Sequence, residues 1–232
     1  MAAKVVAVVN QKGGVGKTTL SMQLAGTLAL RNRRVLVIDA DPQGTASRWA
    51  ASAPDEQPFP AAVVSLAAAG NKLHREVVKL AEDYDYIIID CPPAVDSVNS
   101  RSALLIADLA LIPVIPSPPD LWASTGIARL IDEVAAVNSE LRSLLVLNLC
   151  QANRLLLKDS TLVLQDFQLP LAKQQLGLRE AYRQSSVYGT TVHTMGSKAE
   201  LAAREMNTLA DEIVTMMHPS LLVASEWTVT EE

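Results

Sequence analysis

The stretch that decides the fold is VVAVVNQKGGVGKTTLSMQLA, Val5 to Ala25. An apolar run of strand length enters a glycine-rich turn, and the turn opens into a helical segment. A phosphate-binding loop requires this context. Glycines let backbone N–H groups converge on phosphate oxygens, and the first helical turn adds the positive end of its dipole. The spacing departs from G-x-x-x-x-G-K-[ST]. Counting back from Gly16, the first glycine belongs at position 11, where the chain has Gln11, and Lys12 stands beside it. Gly13, Gly14, Val15 and Gly16 are the expected cradle. Lys17 is expected to reach the β- and γ-phosphates, the Thr18 hydroxyl to bind Mg²⁺, and Thr19 to lie near the α-phosphate.

Outward from this loop, apolar runs alternate with helix-length amphipathic segments. The runs are Lys4–Asn10, Arg34–Ala40, Ala61–Leu66, Asp85–Asp90, Leu109–Ile115 and Leu144–Cys150. They are continuous rather than alternating, as strands covered on both faces are. The helical stretches include Thr18–Leu30, Asn71–Glu82, Asp120–Ala136 and Ser197–Met217. This order predicts an α/β fold: a doubly wound, mostly parallel sheet with helices on both faces and ligands at the carboxyl ends of the strands. Residues 1–218 are expected to form one P-loop ATPase domain, and 219–232 a tail. The last long helix carries Ala202, Met206, Leu209, Ile213 and Met216 at three- and four-residue spacing, a core-facing stripe.

Acidic residues end two further strands. YDYIIIDCPP places Asp90 where a Walker B aspartate holds Mg²⁺. VLVIDADPQG places Asp39 and Asp41 at another strand end, on the same side by alternation. A lone aspartate after a strand is commonly a helix cap; three of them alongside a phosphate loop point to a nucleotide–metal site.

KGGVGKTT, DADPQG, IIIDCPP and IPSPPDLWA together closely resemble the ParA/MinD family of deviant Walker ATPases, from about residue 4 to about residue 217. The proline-rich segment is similar to that of the short, single-domain ParA form, including partition and carboxysome-positioning ATPases, and the first strand begins almost at Met1. The resemblance implies ATP and Mg²⁺ as cofactors and a homodimer formed with ATP. Lys12 would touch the phosphates of the partner's nucleotide, as an arginine finger does. It also implies that Asp41 orients the attacking water, that Asp39 supports the magnesium shell, and that Asn148 contacts adenine.

Composition narrows the output. The 232 residues are 49% hydrophobic with net charge −5, so nucleic acid is not bound by bulk charge. Cys91 and Cys150 have no metal-ligand spacing and suggest a reducing, cytoplasmic setting. They also do not supply a cluster-binding pattern. The C-terminal MMHPSLLVASEWTVTEE lacks the basic face of a MinD-like membrane-cycling helix. A metabolic amidotransferase- or ligase-type enzyme would need a second substrate pocket, which the sequence does not display. The output that the resemblance then implies is nonspecific, nucleoid-associated DNA binding by the ATP-bound dimer through basic residues, reset by a ParB-like or McdB-like cargo adaptor. Basic residues of the C-terminal third are the candidate phosphate contacts: Arg154, Lys158, Lys173, Arg179, Arg183, Lys198 and Arg204. Arg179 and Arg183 come first, since they are four apart in LREAYRQSS.

Overall fold

The computed structural model describes residues 2–94, 97–117, 125–151 and 169–218. All six predicted strands form: β1 (Lys4–Val8), β2 (Val35–Asp39), β3 (Ala62–Ser65), β4 (Tyr86–Asp90), β5 (Leu109–Val114) and β6 (Arg142–Leu147). They make one parallel sheet in the order β3-β2-β4-β1-β5-β6.

Successive side chains of each strand enter opposite layers. Val6, Val8, Val37, Ile88, Leu111 and Val146 pack on one face, with Leu20, Leu24 and Leu28 of α1 (Lys17–Ala29) and Met206, Leu209 and Ile213 of α7 (Glu200–Met217). Ala7, Ile38, Ile87, Ile89, Ile112 and Leu147 pack on the other, with α3 (Leu73–Leu80), α4 (Val98–Leu104) and α5 (Thr125–Ala135). The sheet is therefore covered on both faces, and the continuous apolar runs follow from that.

The edge strand β3 departs from this pattern. It is largely exposed, because it has a strand partner on one side only. At the end of the α7 stripe Met217, rather than Met216, is buried, while Met216 packs at the margin of the core.

Two short helices carry site residues: α2 (Thr45–Ala51) and α6 (Glu180–Val187). An extended segment also runs beside β6. Leu145 N–H donates to Pro170 O, Ala172 N–H to Leu145 O, and Leu176 N–H to Leu147 O. This extra edge was not legible in the apolar pattern, because PLAKQQLGL is too mixed to read as a strand. Asp96, Trp122, Arg154, Lys158 and the tail 219–232 lie outside the described residues.

Candidate functional site: a phosphate loop between two pockets

β1, β2 and β4 end level with one another. Val8 and Asp39 each align with Asp90 across the parallel ladder, so the three following loops leave the sheet side by side. The loop after β1 is fixed at both ends. The Lys12 N–H donates to Asn10 Oδ1 at 3.1 Å, and Asn10 Nδ2 donates to Pro113 O at 2.8 Å. Lys17 Nζ then donates back to Lys12 O at 2.9 Å. Gly16, the N-cap of α1, has φ 86°, in the left-handed region where a Cβ is unfavourable. A Cβ there would also lie 2.4 Å from Asn148 Nδ2, which donates to Val15 O at 2.8 Å. At Gly13 and Gly14 an added Cβ meets nothing within 4 Å, so that side of the loop is open.

Burial pulls the Lys17 ammonium below its ordinary value, partly offset by the nearby Asp90, Cys91 and Asp41. A phosphate group is the counter-charge that such a half-desolvated cation lacks. Behind it, Asp90 is 1% exposed. Its carboxylate accepts from Thr18 Oγ1 at 2.7 Å and from Ser21 Oγ at 3.1 Å. Burial pushes the carboxyl up to about 7 against the pull of these hydroxyls, with Asp39 raising it further and Lys17 lowering it. A divalent cation at this hydroxyl–carboxylate pair would favour the charged carboxylate, as oxygen donors for Mg²⁺ do.

Asp39, expected to support the magnesium shell, stands across the ladder from Asp90 with both carboxylate oxygens engaged by the protein. Its Oδ2 accepts from both the N–H and the hydroxyl of Ser47 at 2.8 Å, and its Oδ1 from Asp41 N–H at 3.3 Å. It thus caps the first turn of α2 from a distance and ties that helix to the Asp41 loop. Asp41 accepts from Gln43 N–H at 2.9 Å and remains half-exposed.

Two pockets of about 310 Å³ each meet at the loop. One is lined by Gly13, Gly14, Gly16, Lys17, Thr18, Thr19, Asp41 and Pro93 and suits phosphates. The other shares Gly14, Gly16 and Thr19 and extends over Asn148, Leu149, Leu176 and Tyr182. Its mostly apolar wall with a few polar groups suits a nucleoside. Lys17, Thr18, Asp41 and Asn148 therefore line two adjoining pockets, with Asp90 buried behind Thr18 and Lys12 joined to Lys17 through its carbonyl.

Of the basic residues put forward for DNA, five lie among the described residues, and they divide; Lys173 is exposed, with its backbone N–H donating to the Glu212 carboxylate. Arg179 lines the second pocket and grips Glu205 through Nε at 2.9 Å and Nη2 at 2.5 Å. Glu205 also accepts from Gly177 N–H at 3.2 Å and Tyr182 OH at 3.4 Å. Arg179, a leading candidate for DNA contact, is thus already engaged by a half-buried partner. Arg183 lines the same pocket and pairs loosely with Glu180 at 3.6 Å; Arg204 pairs with Glu200 at 2.9 Å, with both side chains about 70% exposed. Lys198 is exposed on a 3₁₀ turn, Gly196–Ala199. Exposed pairs contribute about 0–1 kcal/mol and exchange readily for a phosphate.

Several site residues escaped the sequence. Ser21 had a usable signal, since it lies one turn from Lys17 on the face of Thr18. Gln23, fully buried in α1, donates to Ser185 Oγ at 2.9 Å and accepts from Val192 N–H at 2.9 Å. Gln23, Tyr182 and Glu205 had no local signal, because their partners are distant in the chain.

A doubly wound parallel sheet with a lysine-bearing phosphate loop, a threonine and a buried strand-end carboxylate defines a P-loop nucleotide-binding protein. More narrowly, the chain belongs to the CobQ/CobB/MinD/ParA nucleotide binding domain family, whose model matches residues 6–216. It is 32% identical over 210 residues to the maintenance of carboxysome distribution protein A of Halothiobacillus neapolitanus, covering 90% of this chain and 95% of that one. It is 28% identical to the sporulation initiation inhibitor protein Soj of Bacillus subtilis, covering 82% and 83%. Apo McdA from Cyanothece shares the fold at a TM-score of 0.76 and 20% identity, covering 91% of this chain and 99% of that one. The chain is accordingly an ATPase of the ParA type. Among the described residues, no helix is long and apolar enough to cross a membrane.

Proposed function

We propose that this ATPase positions a cargo along the nucleoid: it dimerises with ATP, holds DNA nonspecifically in that state, and releases it when a cargo adaptor stimulates hydrolysis. The observation that carries the reading is the Thr18–Asp90 pair at the foot of an open glycine cradle, with Lys17 folded onto the Lys12 carbonyl. Gly13 to Gly16, Lys17 and Thr19 hold the phosphates, Thr18 and Asp90 hold magnesium, and Asn148 borders the base. Magnesium held by Thr18 and Asp90 would offset the phosphate charge. Asp39 contributes as a fixed negative charge beside Asp90 and as the clamp of the Asp41 loop. Asp41 orients the attacking water, and Lys12 reaches the partner's nucleotide.

DNA contact falls to Lys198, Arg183 and Arg204, whose binding is sequence-independent and weakens with salt. The match over 95% of a carboxysome-distribution protein favours a protein body as cargo over a DNA locus. Resident domain bounds of 1–218, with 219–232 as a tail, accompany this reading. The test is retention on immobilised nonspecific DNA. Protein should stay with ATP and Mg²⁺, wash off without nucleotide, and elute as salt rises. ATP-loaded protein that ignores DNA at low salt would sink the positioning role.

A further inference from the structure

A buried carboxamide outside every motif joins the loops around the phosphate site. Asn99, in the first turn of α4, is 5% exposed. Its Nδ2 donates to Ala40 O at 2.8 Å and to Ala67 O at 2.9 Å. Ala40 is the residue between Asp39 and Asp41, and its N–H donates to Asp90 O at 3.0 Å. The peptide groups on both sides of Ala40 are therefore pinned, one by Asp90 and one by Asn99. Asp39 O accepts from Leu66 N–H at 3.0 Å, which brings the loop after β3 into the same stitch.

The chemistry of the site fixes which end of the amide faces the carbonyls. Two acceptors need two donors, and among neutral side chains a carboxamide nitrogen offers both from one atom. Asn99 Oδ1 meanwhile has no hydrogen-bond partner among the described residues. The side chain thus serves through its donors, at the expense of an unsatisfied buried acceptor.

We propose that Asn99 is a positioning residue for ATP hydrolysis: it fixes the Ala40 carbonyl so that Asp41 is held over the phosphate pocket, and it makes the loops after β2, β3 and β4 move as one. This rests on the reading of Asp41 as the residue that orients water. Asn99 does not line the phosphate pocket, so its loss should act on turnover rather than on nucleotide affinity. Misplacing a water-orienting group by about 1 Å is enough for a tenfold to hundredfold loss.

The fold supplies its own control. Asn138 makes the same two-carbonyl clamp, to Leu104 O at 3.0 Å and Ala107 O at 2.9 Å, at the far end of α4. Steady-state ATPase and thermal melts are compared for Asn99→Leu, Asn138→Leu, Asp41→Ala and the Asp41→Ala/Asn99→Leu double variant. Asn99→Leu should lower kcat about tenfold or more with KM for ATP within about twofold. Asn138→Leu should keep kcat within about twofold even where its melting point falls as far. The double variant should be no slower than Asp41→Ala in single turnover, because both act through one group.

Wild-type kcat in Asn99→Leu, a loss that tracks melting as in Asn138→Leu, or a further loss in the double variant overturns the proposal. If Asp41→Ala turns over normally, the Asp41 reading falls and takes the proposal with it. If Asp41→Ala is inactive and Asn99→Leu is not, only the role of Asn99 falls. Should Asn99→Leu not fold, Asn99→Asp, of the same shape but without the two donors, is read by the same criteria.

Discussion

Gly16→Ala probes the joint between the phosphate loop and the nucleoside pocket. Two penalties arise together. Holding a residue with a Cβ at φ 86° costs about 1–2 kcal/mol. The new Cβ lies 2.4 Å from Asn148 Nδ2, so that amide must retreat by about 1 Å to reach ordinary contact distance. A retreat of this size breaks its 2.8 Å bond to Val15 O, and a buried carbonyl left without its donor costs about 1–3 kcal/mol. The sum is about 2–5 kcal/mol, or roughly 4–20 °C in melting temperature for a chain of this size. Melts of the nucleotide-free protein read this, and titration with ATP and Mg²⁺ reads the accompanying loss of affinity. Asn148→Ala removes the same bond, so the double variant should be less destabilised than the sum of the singles by about 1–3 kcal/mol. A Gly16→Ala protein that melts within about 2 °C of wild type would refute the reasoning, as would full additivity.

Three further outcomes are expected. Glu205→Gln should loosen Arg179, the Gly177 N–H and Tyr182 together, lowering the melting point and weakening ATP binding while leaving low-salt DNA retention of the loaded protein in place; calorimetry with ATP checks this. Lys12→Ala should impair ATP-dependent dimerisation or turnover more than binding of ATP by the monomer, as read by light scattering with and without nucleotide. His193 is held below the ordinary histidine value by burial, with Arg31 adding to it, while Nε2 meets Thr27 Oγ1 at 2.8 Å. The unfolded chain therefore takes up that proton first, near pH 6.5. Stability from this group is intact above that pH and falls as pH drops from there toward the lower folded value. Melts between pH 7.5 and 5.5 should show a shallower decline for His193→Gln than for wild type.

The strands and the phosphate loop were legible because their signals are local. Apolar runs of five or six residues, punctuated by Gly and Asp, report burial on both faces, and all six matched strands within a few residues. β3 read the same way yet lies exposed, since an apolar run carries no information on its rank in the sheet. Lys17, Thr18 and Asp90 were legible as neighbours because a loop, a helix start and a strand end each have fixed geometry. The Arg179 ion pair was not legible for the opposite reason: helical spacing showed Arg179 near Arg183, and nothing in the spacing showed Glu205.

The sequence by itself determined the parallel sheet, the glycine-and-lysine loop, the acidic strand ends and the kind of nucleotide they serve. All of these depend on residues within a few positions of one another, where periodicity and turn chemistry act. The tertiary structure alone decided where Asp39 spends its oxygens, that Arg179 belongs to Glu205, and that Asn99 joins three loops at the site. Those outcomes depend on which polar groups must be satisfied once the helices have covered the sheet, and the partners that satisfy them stand 8, 26, 32 and 59 residues away in the chain.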